Sequence, residues 1–463
     1  MAKIPTLPSV VPARPTKRFF VSMLTRDIAL EDALLDLLDN CIDGIIRNHR
    51  PAATAESPYQ GRWAHLTLNS DTFVIEDNCG GIPLKIAETS AFMMGRPTGM
   101  VGEKLPTVGV YGIGMKRAIF KLGRNCVVSS NASDSKFEVR IPPNWFADEN
   151  NWDLPLVAAA KPLAQAGTRI EVSELNPEVK EKFSADDAFL ENFRKVVAQH
   201  YNIILNKGFV VTVNGKEIKP TVVRFLSVAD LRKDGIAPYL FRGQIKEVDV
   251  DIVAGFYRPS PGENELEEET DSPRSTDEAG WTLICNDRVV LAQDKTILTG
   301  WGEAGVPRYH NQFIGIAGIV HFRCRDTAKL PLTTTKRGID AASPVFLLAK
   351  NKMRDGLKRF TAMTNRFKKQ PQEREQLFKA TKAYSLDDLS ALRRTAIFGA
   401  DRAIPNSKVF VPSLPAAKAS TEKTIRFTRS EKEIKKVARK LFDDPDVLPG
   451  TVGEACFDRI LDQ

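Results

Sequence analysis

Asp36-Leu37-Leu38-Asp39-Asn40-Cys41-Ile42-Asp43 is the stretch from which the fold is read. Asp36, Asn40 and Asp43 stand at i, i+4 and i+7, so they share one helix face while the leucines line another. Outward from it, Ile28, Leu30, Leu34, Leu35, Leu37, Leu38, Ile42 and Ile45 recur at helical spacing as far as about Arg47. Asp27, Glu31 and Asp32 stand near the start, where the helix dipole favours acids. The spacing predicts one long amphipathic helix. A carboxylate beside a carboxamide suits Mg²⁺, which takes hard oxygen ligands and keeps several waters, one of which the carboxylate could activate. An acidic helix face is more often simply solvated, so the segments that follow have to decide.

Downstream, His65 to Leu68 and Phe73 to Glu76 alternate like strands, and the second runs into Asp77-Asn78-Cys79-Gly80-Gly81. Glycines after a strand-end carboxylate let backbone pass close to a flat ligand. Asp77 could then accept the exocyclic amine of an adenine, a bond worth about 1.5–3 kcal/mol. Residues 95 to 114 are glycine-rich with little periodicity and read as a lid. It ends in Gly109-x-x-Gly112-x-Gly114-x-Lys116, which opens a helix over Met115 to Leu122. Backbone N–H groups at such a helix start attract phosphate, and Lys116 adds positive charge. The pattern GxxxxGK[ST] is absent, which excludes a P-loop. Further strands are predicted near 125 to 130, 136 to 141 and 168 to 173, with a helix from about 186 to 203.

Taken in order, Asp36-x-x-x-Asn40, Asp77-x-x-x-Gly81, Gly109-x-x-Gly112-x-Gly114 and Gly167-Thr168 resemble the motifs of the GHKL superfamily, which includes gyrase, ninety-kilodalton heat-shock chaperones, histidine kinases and MutL. The resemblance covers residues 25 to about 175. It implies a Bergerat α/β sandwich binding ATP and Mg²⁺. Asn40 would be the metal ligand and Asp36 the general base, with Asp43 also on the nucleotide. Asp77 would read adenine beside Gly81, with Thr168 sharing its water. Gly109, Gly112, Ile113, Gly114, Met115 and Lys116 would form the phosphate-contacting end of the lid. Most ATP-hydrolysing relatives carry Glu where Asp36 stands. Aspartate is shorter by one C–C bond, about 1.5 Å, so slow turnover is expected. Cys79 likewise replaces the usual first glycine of the adenine loop.

No histidine precedes Asn40, which sets aside the histidine kinases. The stretch Leu330-Pro-Leu-Thr-Thr-Thr-Lys336-Arg337-Gly338 is similar to the lysine-bearing loop of the microrchidia (MORC) ATPases. The Asn214-Gly215 hairpin and Ile284-Cys-Asn286-Asp-Arg288-Val-Val are similar to the second domain of that group. The resemblance implies that Lys336 senses the γ-phosphate, and that ATP closes a homodimeric clamp on DNA, with a prokaryotic defence or DNA-modification system that includes additional protein subunits as the expected setting. A protein-directed chaperone and a non-hydrolysing regulator are the alternatives.

The chain is expected to be α+β: an N-terminal arm (1–24), an ATP-binding domain (25–205), a transducer-like domain (206–342) with a disordered acidic loop (262–279), and a basic helical region (343–463). A chain of 463 residues exceeds what one core usually supports. The net charge is +8, and residues 341 to 463 hold 25 Lys plus Arg against 15 Asp plus Glu. The predicted helix near 346 to 369 carries Lys350, Lys352, Arg354, Lys358, Arg359, Arg366, Lys368 and Lys369, which marks it as the expected DNA surface. Phe346, Phe360 and Phe367 read as core. Six cysteines without a CxxC pair argue against a disulfide framework or structural zinc. With no run of eighteen or more apolar residues and no charged-then-apolar leader, a cytoplasmic location without membrane contact is expected.

Overall fold

The computed structural model describes residues 16–50, 56–95, 105–109, 112–149, 151–185, 187–261, 278–333, 336, 338–368, 370–393, 396–416 and 428–461. Expectations for residues 1–15, for most of the acidic loop, for lid residues 96–104 and 110–111, and for Arg337 and Lys369 lie outside the described residues. Helix takes 39% and strand 24%, arranged around two large mixed sheets, which makes the chain α+β.

Helix α1 spans Lys17–Arg26 and α2 spans Leu30–His49. Glu31 and Asp32 in the first turn and Arg47 and His49 in the last suit the dipole of α2. Its apolar stripe, Leu34, Leu38, Ile42 and Ile45, packs on the first sheet against Leu66, Ile75, Val128, Val172 and Val211. Strands β1 (Trp63–Leu68), β2 (Thr72–Asp77), β3 (Gly123–Asn131), β4 (Lys136–Ile141), β5 (Leu156–Ala158), β6 (Gly167–Leu175), β7 (Val210–Val213) and β8 (Lys216–Glu217) lie in the order β5-β4-β3-β6-β2-β1-β7-β8. Only β1 and β7 run parallel. The Asn214-Gly215 turn has positive φ at both residues, 50° and 74°, the form that matches strand twist. The expectation that this hairpin opens the second domain is corrected. Val211 and Val213 are buried in the first core and β7 pairs with β1, so the hairpin closes the first sheet.

The second sheet is built from β10 (Tyr239–Ile245), β11 (Val248–Phe256), β12 (Gly280–Cys285), β13 (Arg288–Asp294), β14 (Ile316–Arg323), β16 (Gly399–Ala400) and β17 (Lys408–Phe410), in the order β13-β12-β14-β11-β10-β17-β16. A small pair joins β9 (Phe225–Ser227) to β15 (Lys382–Tyr384). The helix Pro344–Phe367 packs on β10 and β11, and Gly356 lets it approach Ala254 and the ring of Tyr239. Its Phe346, Phe360 and Phe367 are core. The uniformly helical region expected from residue 343 is therefore corrected. Within that region the chain forms Pro371–Lys379, β15 and Leu386–Leu392, and β16 and β17 extend the second sheet.

Residues 417–463 form a separate unit, in which helices Glu431–Phe442 and Pro449–Leu461 pack together with Ala438 and Val452 buried. Ser430 and Glu433 close a capping box at the start of the first. No described helix is long and apolar enough to cross a membrane.

The expected loose arm is corrected from residue 17 onward. Thr16 caps α1 by accepting from Phe19 N–H at 3.2 Å. Lys17 is fully buried, its Nζ donating to the carbonyls of Trp145 (2.7 Å) and Asn151 (2.6 Å) and lying 3.9 Å from the Trp145 ring centroid. Charge-assisted bonds of this kind are worth about 1.5–3 kcal/mol. Lys17→Ala is expected to lower unfolding stability by that amount, read as a shift of the urea midpoint; an unchanged midpoint would show that α1 docks without its lysine.

Candidate functional site

The acidic face of α2 is buried. Asp36, Asp39 and Asp43 are 4%, 1% and 5% exposed; the helix Gly114–Leu122 packs along α2, and side chains from the second sheet's side reach its acids. In the β12–β13 hairpin the turn residues Asn286 and Asp287 both take positive φ, 47° and 68°. The tight turn aims Arg288, 2% exposed, at Asp39: Nε donates to Oδ1 at 2.9 Å, and the guanidinium lies 4.6 Å from the Tyr201 ring centroid. The Tyr201 hydroxyl donates to the same oxygen at 2.5 Å. Lys336 reaches the other oxygen, Nζ to Oδ2 at 3.0 Å, and stands 3.4 Å from Asp36 Oδ1. Burial opposes the charge on Asp39, but Arg288 and Lys336 overcome it and hold the carboxyl well below its usual range. Burial likewise opposes charge on Lys336, yet Asp39, Asp36 and Asp43 raise its pKa.

Asp36 is held from a third side. Arg117 donates to its Oδ2 from Nε (3.2 Å) and Nη2 (2.5 Å). Arg117 belongs to the helix Gly114–Leu122, whose first residue backs onto Asp36: a Cβ at Gly114 would sit 3.1 Å from the carboxyl carbon. Asp43 accepts Val108 N–H (2.6 Å) and Gly109 N–H (2.8 Å), so it anchors the loop that precedes Gly112. Burial raises its pKa, although Arg47, Lys336 and the Val108 amide pull the other way. Second-sheet groups hold the same loop, since Thr327 Oγ1 and Asn286 Nδ2 donate to Thr107 O at 2.9 and 3.3 Å.

Between these pairs stands Asn40, half-buried, whose Nδ2 is enclosed without a hydrogen-bond partner among the described residues. A buried amide without a partner costs about 1–3 kcal/mol.

Asp77 ends β2 on the far side of Asn40. Its Oδ1 accepts Cys79 N–H (2.7 Å) and Thr168 N–H (3.3 Å), and Oδ2 lies 3.5 Å from Cys41 Sγ. Burial pushes its pKa up to about 6 against these donors. Gly167 lies against the Asp77 carbonyl, and Gly81, at φ 73°, against the Asn131 carbonyl, where a side chain would collide. Thr168 thus reaches Asp77 through its backbone amide.

In the glycine segment, Gly112 has φ 69° and Ile113 caps the helix that begins at Gly114, with Met115 packed at the edge of the first core. Lys116 turns inward, its Nζ donating to Ala91 O at 2.9 Å and to Gly112 O, and burial lowers its pKa to about 8. The lysine therefore buttresses the glycine turn from behind.

Asp36, Asn40, Asp43, Gly109, Gly114 and Lys336 are brought into one neighbourhood, with Asp77, Gly81 and Thr168 forming its other end. Nothing in the helical spacing marks Asp39, Tyr201, Arg117 or Arg288. Asp39 falls off the i, i+4, i+7 face, and only the quoted Asn286-Asp-Arg288 turn offered a signal. Among the described residues no group of three or more His, Cys, Asp or Glu could hold a metal, so a divalent ion here would depend on Asn40 and on oxygens of its ligand. No protein-family model matches the chain, and no curated protein matches it.

Removing one partner of a buried ion pair costs about 3–5 kcal/mol. Arg288→Met is expected to destabilise by that amount in denaturant. The depressed Asp39 pKa gives stability that is present above the unfolded value of about 3.9 and lost as pH falls below it. The wild type should therefore lose stability more steeply than Arg288→Met below about pH 4. Parallel acid limbs would show that the pair contributes nothing.

Proposed function

We propose that this chain binds Mg-ATP in a site of the GHKL type, with the Bergerat arrangement expected from its motifs, and works as a nucleotide-gated, homodimeric clamp on DNA. The observation that carries the reading is Lys336: a loop of the second sheet delivers its amine to within 3.4 Å of Asp36 on the helix that also bears Asn40. A cation placed there by a second domain can meet a terminal phosphate and report its presence to that domain.

The residues fit the nucleotide. Asp77 keeps Oδ2 free of backbone donors and could accept the adenine amine through it. Asn40 would hold Mg²⁺ through its amide oxygen, and the ion when bound would neutralise phosphate charge and order water. Lys336 and the N–H groups at Gly112 to Gly114 would receive the phosphates. Asp36 is the carboxylate placed to take a proton from water. Arg117 and Lys336 both hold its oxygens, so the carboxylate must give up a contact before it can meet a water, and slow turnover is the expectation. The same pinning favours a second reading, an ATP-binding regulator that does not hydrolyse. Net charge of +8 supports a polyanionic partner.

Asp77→Asn tests adenine recognition. Oδ1 already accepts two N–H groups, so the new amide nitrogen would face the ligand amine donor to donor, and affinity should fall about 10- to 100-fold, equivalent to about 1.5–3 kcal/mol. The wild type should also lose affinity as pH drops through about 6, where Asp77 takes a proton, and the variant should lack that component. Equal titration curves for the two proteins would remove the assignment.

Lys336→Ala is expected to cut steady-state ATP hydrolysis about tenfold, which is about 1.4 kcal/mol of transition-state stabilisation, with nucleotide affinity nearly unchanged. Matched losses in both would contradict a sensor role, and no hydrolysis in the wild type with ATP still bound would leave the regulator.

A further inference from the structure

On the face of the second sheet opposite the Pro344–Phe367 helix, strand pairing gathers charges that are distant in sequence. Lys408, Arg242, Asp251 and His321 are successive cross-strand partners on β17, β10, β11 and β14, and the adjacent row on that face holds Gln244, Asp249 and Arg323. Arg393, just after the helix Leu386–Leu392, joins them. Three arginines converge on Asp251. Arg242 Nε donates at 2.6 Å, Arg323 Nη2 also donates, and Arg393 Nη1 lies 3.6 Å away. Asp249 accepts from Gln244 at 3.1 Å. Four cations thus face two carboxylates. Arg393 Nε is buried without a partner among the described residues, and the side chains of Arg242 and Arg323 are 62% and 43% exposed. Asp251 therefore fixes one edge of each exposed guanidinium; His321 Nδ1 also meets Arg323 Nη1 at 2.9 Å, and the outer edge of Arg242 is left toward solvent, which is the preorganisation that recognition of a phosphate oxyanion rewards.

The helix expected to carry the DNA contacts is less available. Lys350 and Arg354 both bind Glu303, at 2.8 and 2.9 Å, and Lys352 is buried on Asp401 at 2.5 Å.

We propose that Arg242, Arg323, Arg393 and Lys408 form a phosphate-backbone site for duplex DNA at the exposed end of that face of the second sheet, beyond the part that Leu389 and Leu392 cover, an inference that rests on the DNA reading above. Arg242 and Arg323 reach Asp251 from the strands on either side of β11, so their guanidinium groups lie together and address one phosphate, while Lys408 extends the row as a point charge.

The test is fluorescence anisotropy of a labelled duplex with the full-length protein across a salt series. Arg242→Gln and Lys408→Gln are both exposed changes that leave Asp251 paired with Arg323 and Arg393. Each should weaken binding about three- to tenfold and flatten the log K against log salt slope by about 0.9, one phosphate contact. Arg359→Gln, an exposed change on the Pro344–Phe367 helix, should leave the slope unaltered. A wild type that binds with a clear salt slope, while Arg242→Gln and Lys408→Gln keep its affinity and slope, overturns this site alone. A wild type that does not bind the duplex overturns the DNA reading and the site with it.

Discussion

Asp39 is a full negative charge with 1% of its surface exposed, and much of the molecule is arranged around that fact. An unpaired carboxylate at such depth would cost several kcal/mol or take up a proton. Its pairing instead recruits residues from three places: Tyr201 at the end of the first sheet's helical layer, Arg288 at the start of β13, and Lys336 from a loop beyond β14. Satisfying one carboxylate therefore fixes where the second sheet meets α2. The two-residue turn at Asn286 and Asp287, with positive φ at both, sets Arg288 beside Asp39 and places Asn286 on the carbonyl of Thr107.

The site gains a particular electrical character from this. Asp36, Asp39 and Asp43 are set against Arg117, Arg288 and Lys336, so the acid face is neutral as a whole but every cation on it has a named partner. Arg288 is locked between Asp39 and the Tyr201 ring, whereas Lys336 is shared between two carboxylates at 3.0 and 3.4 Å. Of the two, Lys336 is the one a phosphate could draw away, because Asp39 would keep Arg288 and Tyr201 and Asp36 would keep Arg117. A ligand shifts an equilibrium only by its differential affinity for two states. On the proposed reading the difference would be the exchange of a carboxylate for a phosphate at the Lys336 amine.

The elements of the first sheet were legible because each is short-range. The stripe of α2 has period 3.6, β1 and β2 alternate, and Asn214-Gly215 can hardly be anything but a hairpin turn. What local pattern could not supply was partnership. Val211 and Val213 read as strand, but only pairing with β1 assigns them to the first core rather than the second. Residues 372 to 393 look helical by composition, yet Lys382–Tyr384 pairs with Phe225–Ser227, more than 150 positions earlier in the chain. In the site, Asp36, Asn40 and Asp77 stood out by motif and Lys336 by its loop, while Lys116 was expected to bring its charge to the phosphates. Its inward turn depends on the Ala91 carbonyl, which no spacing rule connects to it.

Charge shows the same limit from another side. A surplus of +10 in residues 341 to 463 suggested a basic helical surface, because summing along the chain treats neighbours in sequence as neighbours in space. Folding redistributes that surplus. Glu303 takes two of the helix's cations and Asp401 a third, while Arg393 and Lys408 from the same third of the chain are carried onto a sheet face to meet Arg242 and Arg323. A strand ladder places residues about 5 Å apart whatever their separation in sequence. A cationic row on a sheet is thus invisible to a running charge count, and a cationic run in sequence is cancelled wherever acids from other segments pack against it.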